Sequence, residues 1–515
     1  MAAYRKPLFI FEMANNHQGS VEHGIKIVEE LKKVSEPYEP YFDFAVKFQY
    51  RDLDTFIRED YKNRNDIKNV KRFKETRLNK EQFAILREEV KKNGFLAVCT
   101  PFDEKSVDLI MEQGYDAIKI ASCSFGDWPL LEKIGKQGKR VIASCAAAEL
   151  EQIEKVVHFF QHRNIELSLM HCVAEYPTDL NHLQMNQIDF LRNKFPNIPI
   201  GFSTHEDPNN NLPVRIAVAK SAQIFEKHVG VETDTIKLNG YSATPKQVEG
   251  WLAAAYEAYQ MCGGCKEERC QPTAKEREDL KALQRGAFAK KDLERGDSLN
   301  QTNVSFAFPC EEGQLLATHF SKYNGMELQK AVLHNNKIEI NDVKMKDNTQ
   351  TIQNLVEKVM ELLKESKIVL PVNTEFHLSH HYGIDKFDQM GCAIIDCINR
   401  EYCKKILVML AGQDHPSHVH YKKEETFSVV YGELIIKVGN EVKCAKPGEC
   451  IVIERGMEHS FSSVTGCVFE EISTTHYVDD SNYKDKEQFV NPRKTAVYVT
   501  KEMLDNMQLK YTPQA

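Results

Sequence analysis

The sequence predicts an α/β protein whose first half is a (β/α)8 TIM barrel. Eight short apolar runs occur in the first 260 residues, and amphipathic segments with apolar residues at i, i+3 and i+4 separate them. An open doubly wound sheet is the second choice, because such sheets rarely contain eight units. The predicted strands are 7–14, 42–49, 94–101, 117–122, 140–146, 165–174, 199–205 and 221–230.

The composition indicates an ordinary soluble protein. A chain of 515 residues is long enough for about three domains. The net charge of −8, with both signs mixed along the chain, disfavours nucleic acid and anionic membranes as partners. The chain contains no apolar run of about 18 residues. Because no secretion signal precedes the 14 cysteines, we expect reduced thiols and a cytoplasmic location.

Polar residues follow or end each of the eight predicted strands. The carboxyl ends of the strands of such a barrel meet at one mouth, where active sites lie. Lysines and hydroxyls suit a small phosphorylated, carboxylated anion, and two histidines on adjacent strands can hold a divalent metal. The polar residues expected at the mouth are Glu12, Asn16, His17, Lys47, Gln49, Thr100, Lys119, Ser122, Ser144, His171, Tyr176, Ser203, His205, Glu226 and His228.

Seven motifs in this half resemble one family. They are EMANNHQGS, VKFQ, CTPFD, IKIAS, HCVAEYP, GFSTH and EKHVG, and their order and spacing resemble the sialic acid (N-acetylneuraminate) synthase family over residues 7–260. The resemblance implies a transferase that condenses phosphoenolpyruvate with the open-chain aldehyde of an N-acylated hexose. The products would be a 3-deoxy-2-ulosonic acid and phosphate.

The resemblance also implies roles for individual residues. His205 and His228 would bind Mn or Mg, with Glu226 orienting a ligand. Glu12 would contact the acceptor sugar and stabilise the positive charge that develops in the reaction. The residues that would hold phosphoenolpyruvate are Lys47, Thr100, Lys119, Ser122, Ser144 and Ser203. Gln49, Tyr176 and Asn239 would lie near the acceptor sugar. The chain departs from the family at Ala174, at Ser144-Cys145-Ala146 and at Asn239, where an acidic group is expected.

A small second domain is predicted after a polar linker at 263–278. Residues 279–345 contain AKKDLERGDSL, which resembles the antifreeze-like (SAF) domain, a β-clip that follows the barrel in sialic acid synthases. This resemblance implies a homodimer in which the SAF domain covers the barrel of the partner. The family often has an Arg before the Pro of the covering loop, where this chain has Phe308.

A third domain is predicted after a linker helix at 346–365. Residues 366–480 contain short alternating strands with Gly turns, typical of an all-β barrel. The stretch GQDHPSHVHYKKEETFSVVYG (412–432) has the spacing of the first cupin motif, and a second motif follows. Two histidines at i and i+2 of a strand share one face. The predicted ligands of Mn, Fe, Ni or Zn are His418, His420, Glu425 and His459.

Two functions from different classes remain open at this stage. In the first, the barrel is the phosphoenolpyruvate-dependent synthase. In the second, the barrel is degenerate and the cupin is the main catalyst, as a metal-dependent sugar isomerase or epimerase; a cupin that only senses ligand is a third possibility. The basic run 58–77 would accommodate a phosphate on the aldose. The tail, 481–515, shows no motif.

Overall fold

The structure, a computed structural model, describes residues 6–263, 268–371, 374–484, 489, 494–506 and 511–512. The chain divides into two compact units, Met1–Cys270 and Gln271–Ala515. The first unit contains the predicted barrel, and the second contains both predicted β domains.

Eight parallel strands close the barrel in sequence order, which confirms the (β/α)8 prediction. Each strand overlaps one of the eight predicted apolar runs. The strands are β1 (Leu8–Glu12), β2 (Asp43–Tyr50), β3 (Leu96–Pro101), β4 (Ala117–Ile120), β5 (Val141–Ser144), β6 (Leu167–Cys172), β7 (Ile200–Thr204) and β8 (Ile224–His228).

Helices of the first unit begin and end at residues with the expected capping chemistry. Asn79 and Gln82 form a capping box at the start of α4, and Asp103 caps α5, which ends at Gly114 with a φ of 67°. The helices are α1 (Val21–Ser35), α2 (Leu53–Phe56), α3 (Lys68–Glu75), α4 (Lys80–Lys92), α5 (Glu104–Gln113), α6 (Trp128–Gly135), α7 (Leu150–Gln161), α8 (Asn186–Lys194), α9 (Leu212–Ala219) and α10 (Pro245–Cys262).

Strand alternation sorts the side chains of the barrel into two layers. Leu8 and Ile10 of β1 belong to a small apolar cluster with Ile142 and Ile224, which fills the barrel interior. Phe9, on the opposite face of β1, joins the larger core between the strands and the helices. Because inward positions recur every second residue, the polar residues at the strand ends stand directly above this apolar interior.

The second unit begins with small antiparallel sheets, as the predicted SAF domain requires. Strands β9 and β10 pair with each other, and so do β11 and β12. Apolar residues such as Leu293, Leu315 and Ile338 form their shared core. The elements are α11 (Ala274–Lys281), β9 (Gly286–Ala289), β10 (Val304–Ala307), β11 (Asn324–Leu328) and β12 (Val343–Asp347).

The remaining strands form two larger antiparallel sheets, which agrees with an all-β third domain. One sheet has seven strands in the order β21-β18-β23-β16-β15-β14-β25, and the other has five in the order β20-β19-β22-β17-β24. The elements are α12 (Thr349–Glu365), β13 (Leu370–Pro371), β14 (Thr374–His380), β15 (Gly391–Asn399), β16 (Tyr402–Met409), β17 (Gln413–Val419), β18 (Glu425–Gly432), β19 (Leu434–Val438), β20 (Glu441–Ala445), β21 (Cys450–Ile453), β22 (His459–Ser463), β23 (Cys467–Thr474), β24 (Asn482–Tyr483), β25 (Lys494–Val499), α13 (Lys501–Asn506) and β26 (Tyr511–Thr512).

Two segments expected to flank the third domain are packed into it. Helix α12, expected in a linker, buries Leu355 and Leu363 in one apolar cluster with Phe376 of β14. In the expected tail, β25 pairs with β14, and Val499 and Leu504 enter the same cluster. An amphipathic helix needs a partner for its apolar face, and the sheet supplies one here. We therefore propose that the third domain begins at α12 and continues past residue 480.

Candidate functional site

Four charged side chains form a buried chain of ion pairs at the barrel mouth. Lys47 Nζ lies 2.6 Å from Glu12 Oε2 and 2.9 Å from Glu226 Oε1. Lys119 Nζ lies 3.9 Å from the same Glu226 oxygen. All four side chains are buried. Charged groups are rarely buried without a functional or pairing reason, and here two ammonium groups share two carboxylates.

The barrel strands bring these residues together at one level. Glu12 is aligned with Lys47 on β2 and with His228 on β8. Glu12 at the end of β1, Lys47 within β2 and Glu226 within β8 thus lie on adjacent strands. Residues far apart in sequence meet because parallel strands in register put their carboxyl ends at one edge.

The predicted hydroxyl groups surround this chain. Ser144 Oγ accepts a hydrogen bond from Lys119 Nζ at 2.6 Å, and Ser203 Oγ donates to Glu226 Oε1 at 3.1 Å. Ser122 Oγ accepts from the backbone N–H of Ala146 at 3.3 Å. Among the described residues, Thr100 Oγ1 is buried without a hydrogen-bond partner. A buried unpaired hydroxyl signals a place for a ligand atom.

The two lysines differ in their electrostatic environment. Burial lowers the pKa of Lys119 to about 8, because Glu226 offsets that cost only in part and Lys47 adds repulsion. Burial acts on Lys47 as well, but Glu12 and Glu226 together hold the pKa of Lys47 above its usual value. Although burial disfavours the ionised form of Glu226, Lys119 and Lys47 keep the pKa of its carboxyl low. Lys119 is therefore the lysine of this group whose pKa lies nearer neutrality.

His205 and His228 lie beside the ion pairs, with ring centroids 5.4 Å apart. Burial and then the neighbouring ring lower the pKa of His205 to about 3, and burial and then Lys47 lower the pKa of His228 to about 3. His205 Nδ1 donates to the carbonyl oxygen of Val173 at 3.1 Å, which leaves Nε2 as a lone-pair donor. Neutral imidazoles fit a divalent metal, and the tautomer of His205 is already fixed for one.

The residues predicted to lie near the acceptor sugar line a cavity of about 530 Å³. Gln49 Nε2 donates to Glu12 Oε2 at 3.4 Å. The ring of Tyr176 lies 4.3 Å from that of His205, and its side chain is half exposed. Asn239 Oδ1 accepts from the backbone N–H of Tyr241 at 3.1 Å. A cavity of this size is adequate for two small substrates.

A second cluster of titratable side chains lies in the third domain. His418, His420, Glu425 and His459 each offer one ligand atom, and these atoms all lie within 4.8 Å of one another. His418 on β17 is the register partner of His459 on β22, and a bulge in β17 precedes His418. Glu425 begins β18, and its Oε1 lies 2.8 Å from His459 Nε2. Three histidines and one carboxylate suit a transition metal with open positions.

Backbone carbonyl groups fix the tautomer of all three histidines. His418 Nδ1 donates to Pro416 O at 3.0 Å, His420 Nδ1 to Asp480 O at 2.8 Å, and His459 Nδ1 to Met457 O at 3.1 Å. Each Nε2 therefore keeps its lone pair for a metal. This donor set fits a divalent ion, because the outer ring nitrogens are already held.

A buried lysine stands behind the carboxylate ligand. Lys423 Nζ forms a close ion pair with Glu425 Oε2 and lies 2.8 Å from Glu471 Oε1. Burial would raise the pKa of Glu425, but His459 and Lys423 hold that pKa low. The carboxylate is thus ionised and ready to bind a cation.

Comparisons with known proteins match a family model to the barrel and another to the third domain. The model of the NeuB family matches residues 43–266, and the model of the cupin domain matches residues 405–469. An uncharacterized protein of Methanocaldococcus jannaschii is 30% identical over 309 residues, which are 59% of this chain and 86% of the relative. The N-acetylneuraminate-9-phosphate synthase of Drosophila melanogaster is 30% identical over 227 residues, which are 42% of this chain and 59% of that one.

A solved structure provides the strongest likeness among these. The crystal structure from Chromobacterium violaceum described as spore coat polysaccharide biosynthesis protein E is 50% identical. Its TM-score is 0.63, and it covers 66% of this chain and 100% of the other. The chain belongs to the NeuB family. NeuB-family synthases condense phosphoenolpyruvate with a sugar, and this member carries an additional cupin domain. Among the described residues, no helix is both long enough and apolar enough to cross a bilayer.

Arg51 and Tyr241 also line the barrel cavity of this NeuB-family chain, although neither was predicted from the sequence. Arg72, which belongs to the basic run 58–77, lines the same cavity. The Arg51 guanidinium lies over Phe73 and Phe102, at 4.2 and 3.6 Å from their centroids. The position of Arg51 could have been predicted, because it follows Lys47 and Gln49 at the two-residue interval of inward positions.

Two histidines expected at the mouth lie outside it. His171 Nε2 contacts Leu183 O at 2.7 Å, and its ring stacks on Phe202 in the layer between strands and helices. The ring of His17 packs edge-on against Phe83 of α4 in that same layer, and its Nδ1 accepts a hydrogen bond from the N–H of Gly19 at 3.1 Å. The prediction for His171 was wrong because Met170 and Cys172 occupy the inward positions of β6, so the residue between them points outward.

Proposed function

We propose that the barrel is a phosphoenolpyruvate-dependent synthase that forms a 3-deoxy-2-ulosonic acid from an open-chain aldose. The observation that carries the proposal is the buried chain Glu12–Lys47–Glu226–Lys119 beside the two neutral histidines. Such an array provides cations for a polyanionic donor, an adjacent metal site and a carboxylate near the reacting carbons. Membership of the NeuB family supports the same reaction class.

The donor would bind against the two lysines. Phosphoenolpyruvate carries a carboxylate and a phosphate, and Lys47 and Lys119 offer one buried ammonium group to each. The hydroxyls of Ser144 and Ser203 are already hydrogen-bonded to this ion-pair chain and would complete the anion site. Thr100 Oγ1, buried without a partner among the described residues, would gain one from the donor.

His205 and His228 would hold the metal, Mn or Mg in this proposal. When bound, it supplies Lewis-acid polarisation of an aldehyde carbonyl. The chain's own residues orient the partners: Tyr176 packs on His205, and Gln49 is held by Glu12 at the sugar side.

The reaction itself is a condensation followed by loss of phosphate. Carbon 3 of phosphoenolpyruvate bonds to the aldehyde carbon, whose oxygen takes a proton, and positive charge develops at carbon 2. Water then adds at carbon 2, and cleavage of the carbon–oxygen bond releases phosphate. Glu12 is the carboxylate placed to stabilise that charge, and the lysines offset the charge on the leaving phosphate.

The aldose in this proposal carries a phosphate. Arg51 and Arg72 line the cavity, and Arg51 Nε is buried without a hydrogen-bond partner among the described residues. Guanidinium groups match phosphate oxygens in geometry and charge. Ala174 and Asn239, which replace polar or acidic groups of the family, lie on the same cavity and would alter recognition of the rest of the sugar.

A phosphate-release assay tests the synthase. We expect release only when phosphoenolpyruvate, an aldose and Mn or Mg are all present, using N-acylmannosamines and other aldoses, each with and without a phosphate. His205→Ala should lower turnover by at least about a hundredfold, because it removes a metal ligand. His162→Ala, an exposed histidine on the same domain, is the matched control. No phosphate across the whole panel would refute the proposal.

The alternative makes the cupin the main catalyst, as a metal-dependent sugar isomerase or epimerase. One observation favours it: the cupin holds four ligand residues, whereas the barrel offers two histidines. The two proposals separate on two variants. If His418→Ala removes the activity of the whole chain and His205→Ala does not, the cupin is the catalyst.

A further inference from the structure

The cupin metal cluster opens onto a cavity of about 310 Å³. Apolar side chains, among them Leu407, Phe427 and Phe461, line it together with charged ones. This volume is at the lower end of cavities that hold small organic molecules. An apolar wall favours a ligand with a carbon skeleton over a bare inorganic ion.

Cations outnumber anions among the side chains that line this cavity. The lysines are Lys405, Lys423 and Lys494, and the carboxylates are Glu425 and Glu471. Both carboxylates pair with Lys423, so they are already neutralised in part. A divalent ion in the histidine cluster would add to the positive charge. The cavity is therefore built for an anion.

Lys405 is the lysine that most strongly indicates an anionic ligand in this cavity. Its side chain is on β16, and the residue is only 6% exposed. Among the described residues, the one carboxylate within 4 Å of its ammonium is Asp396, at 3.8 Å, and Asp396 is 48% exposed. A buried ammonium whose one nearby carboxylate is half exposed to solvent is only partly compensated, and an anionic ligand would complete the compensation.

His476 lies on the same cavity and provides a second polar contact. Its Nδ1 is buried and makes no hydrogen bond within the described part of the chain. Its backbone is held on both sides by Asn399, at 2.9 and 3.0 Å. Burial, and then Lys405 and Lys423, lower the pKa of His476 to about 4.

We propose that this cavity binds a small carboxylic acid with an oxygen on the adjacent carbon, a 2-oxo or 2-hydroxy acid. Three histidines and one glutamate leave coordination positions open, and such an acid can occupy two of them. Its negative charge is balanced by Lys405, and His476 supplies a hydrogen bond. The 2-ulosonic acid that the barrel would form belongs to this class. Its identification as the ligand of the cavity rests on the proposed function.

A titration of the full-length chain loaded with Co²⁺ tests the proposal. The His205→Ala background removes a ligand of the barrel site, so the cobalt absorption spectrum reports on the cupin. We expect pyruvate, oxalate and N-acetylneuraminate to change the spectrum, and the uncharged N-acetylmannosamine to leave it unchanged. Lys405→Met should raise the Kd of the acids at least about tenfold, the loss expected for one charge-assisted hydrogen bond.

Lys404→Met is the matched control, because Lys404 is the neighbouring residue on β16, partly exposed and paired with Glu470. It should leave the acid Kd unchanged. If Lys405→Met fails to retain cobalt, His476→Gln provides a second test and should weaken the acids in the same direction. The proposal is overturned if the acids leave the spectrum unchanged, if Lys404→Met weakens them equally, or if inorganic phosphate binds as tightly as the acids.

The titration separates this proposal from the barrel chemistry, because it requires no turnover. Missing acid binding would leave the synthase proposal intact, and a failed phosphate-release assay would leave the acid site intact. If pyruvate and oxalate bind through Lys405 but N-acetylneuraminate does not, the acid site stands and its link to the barrel product is refuted.

Discussion

Lys47 and Lys119 share Glu226 at the barrel mouth, yet they differ in charge behaviour. Lys47 contacts two carboxylates at 2.6 and 2.9 Å, whereas Lys119 lies 3.9 Å from one and hydrogen-bonds a neutral hydroxyl. Burial therefore dominates for Lys119 and lowers its pKa to about 8. A difference of about one ångström in ion-pair distance decides which lysine titrates near neutrality.

The pH dependence of phosphoenolpyruvate capture follows from Lys119. The ammonium form, which binds the anion, predominates below a pKa of about 8 and is lost as the pH rises through that value. We expect kcat/KM for phosphoenolpyruvate to be level below about pH 8 and to fall about tenfold per unit above it, because kcat/KM reports on free enzyme. Saturating phosphoenolpyruvate should flatten this fall when the aldose is varied. A kcat/KM that is constant up to pH 10 would contradict the role of Lys119.

Asp480 supports the cupin metal site without being a ligand. Its carboxylate accepts from the backbone N–H groups of Tyr421, Lys422 and Lys423, at 3.0 to 3.1 Å, and its own carbonyl holds His420. We expect Asp480→Ala to weaken metal binding about 10- to 100-fold, as removal of outer-shell partners does. Competition with a chromogenic chelator measures the change. Asp479→Ala, which removes only an exposed ion pair, should change nothing.

At the scale of the element, period-2 alternation in the barrel strands explains both the successes and the error. Glu12, Lys47 and Glu226 were predicted to face the mouth, and in each strand the inward residue two positions earlier is apolar. His171 failed because inward and outward positions alternate, and strand ends alone do not reveal the phase. The bulge between His415 and His418 could not be predicted either, since the spacing of residues in the sequence does not show where a strand shifts register.

The segment after residue 480 stabilises the third domain. Leu504 of α13 is fully buried in the cluster that also contains residues of α12 and β14. We expect Leu504→Ala to lower the stability of the second unit by about 2–5 kcal/mol, the cost of a buried leucine cavity. Scanning calorimetry of the full chain measures it as a lower temperature for one transition. Leu333→Ala, at a leucine that is 65% exposed, should leave that transition in place.

At the scale of the whole molecule, the arrangement of subunits remains a prediction. The small sheets between barrel and cupin agree with an SAF domain, and the resemblance implies that this domain covers the barrel of a partner. Phe308 is 62% exposed, as a residue that covers another surface would be in an isolated chain. It stands where the family often has an arginine, so we expect it to contact the sugar through packing.

Mixed dimers test whether the cover is supplied in trans. Phe308→Ala should raise KM for the aldose several-fold with KM for phosphoenolpyruvate unchanged, because it removes contacts to one substrate only. In a mixed dimer, the active barrel belongs to the Phe308→Ala subunit, and the His205→Ala subunit covers it with an intact Phe308. The aldose KM should then return to the wild-type value. A KM that stays high in the mixed dimer would place the cover in the same chain.

The sequence by itself determined the order of the elements and the types of residue at the strand ends. Repetition of strand and helix predicts the barrel, and the His-x-His…Glu…His spacing predicts the cupin cluster, because both depend on local periodicity. Only the tertiary structure decided which charges meet and which buried lysine has its ion-pair partner exposed to solvent. The structure shows that Lys405 is buried, with Asp396 3.8 Å from its ammonium. It also shows that α12 packs its apolar face on a sheet of the third domain. Distances between residues remote in sequence are set by the closure of the sheets, and no local pattern encodes them.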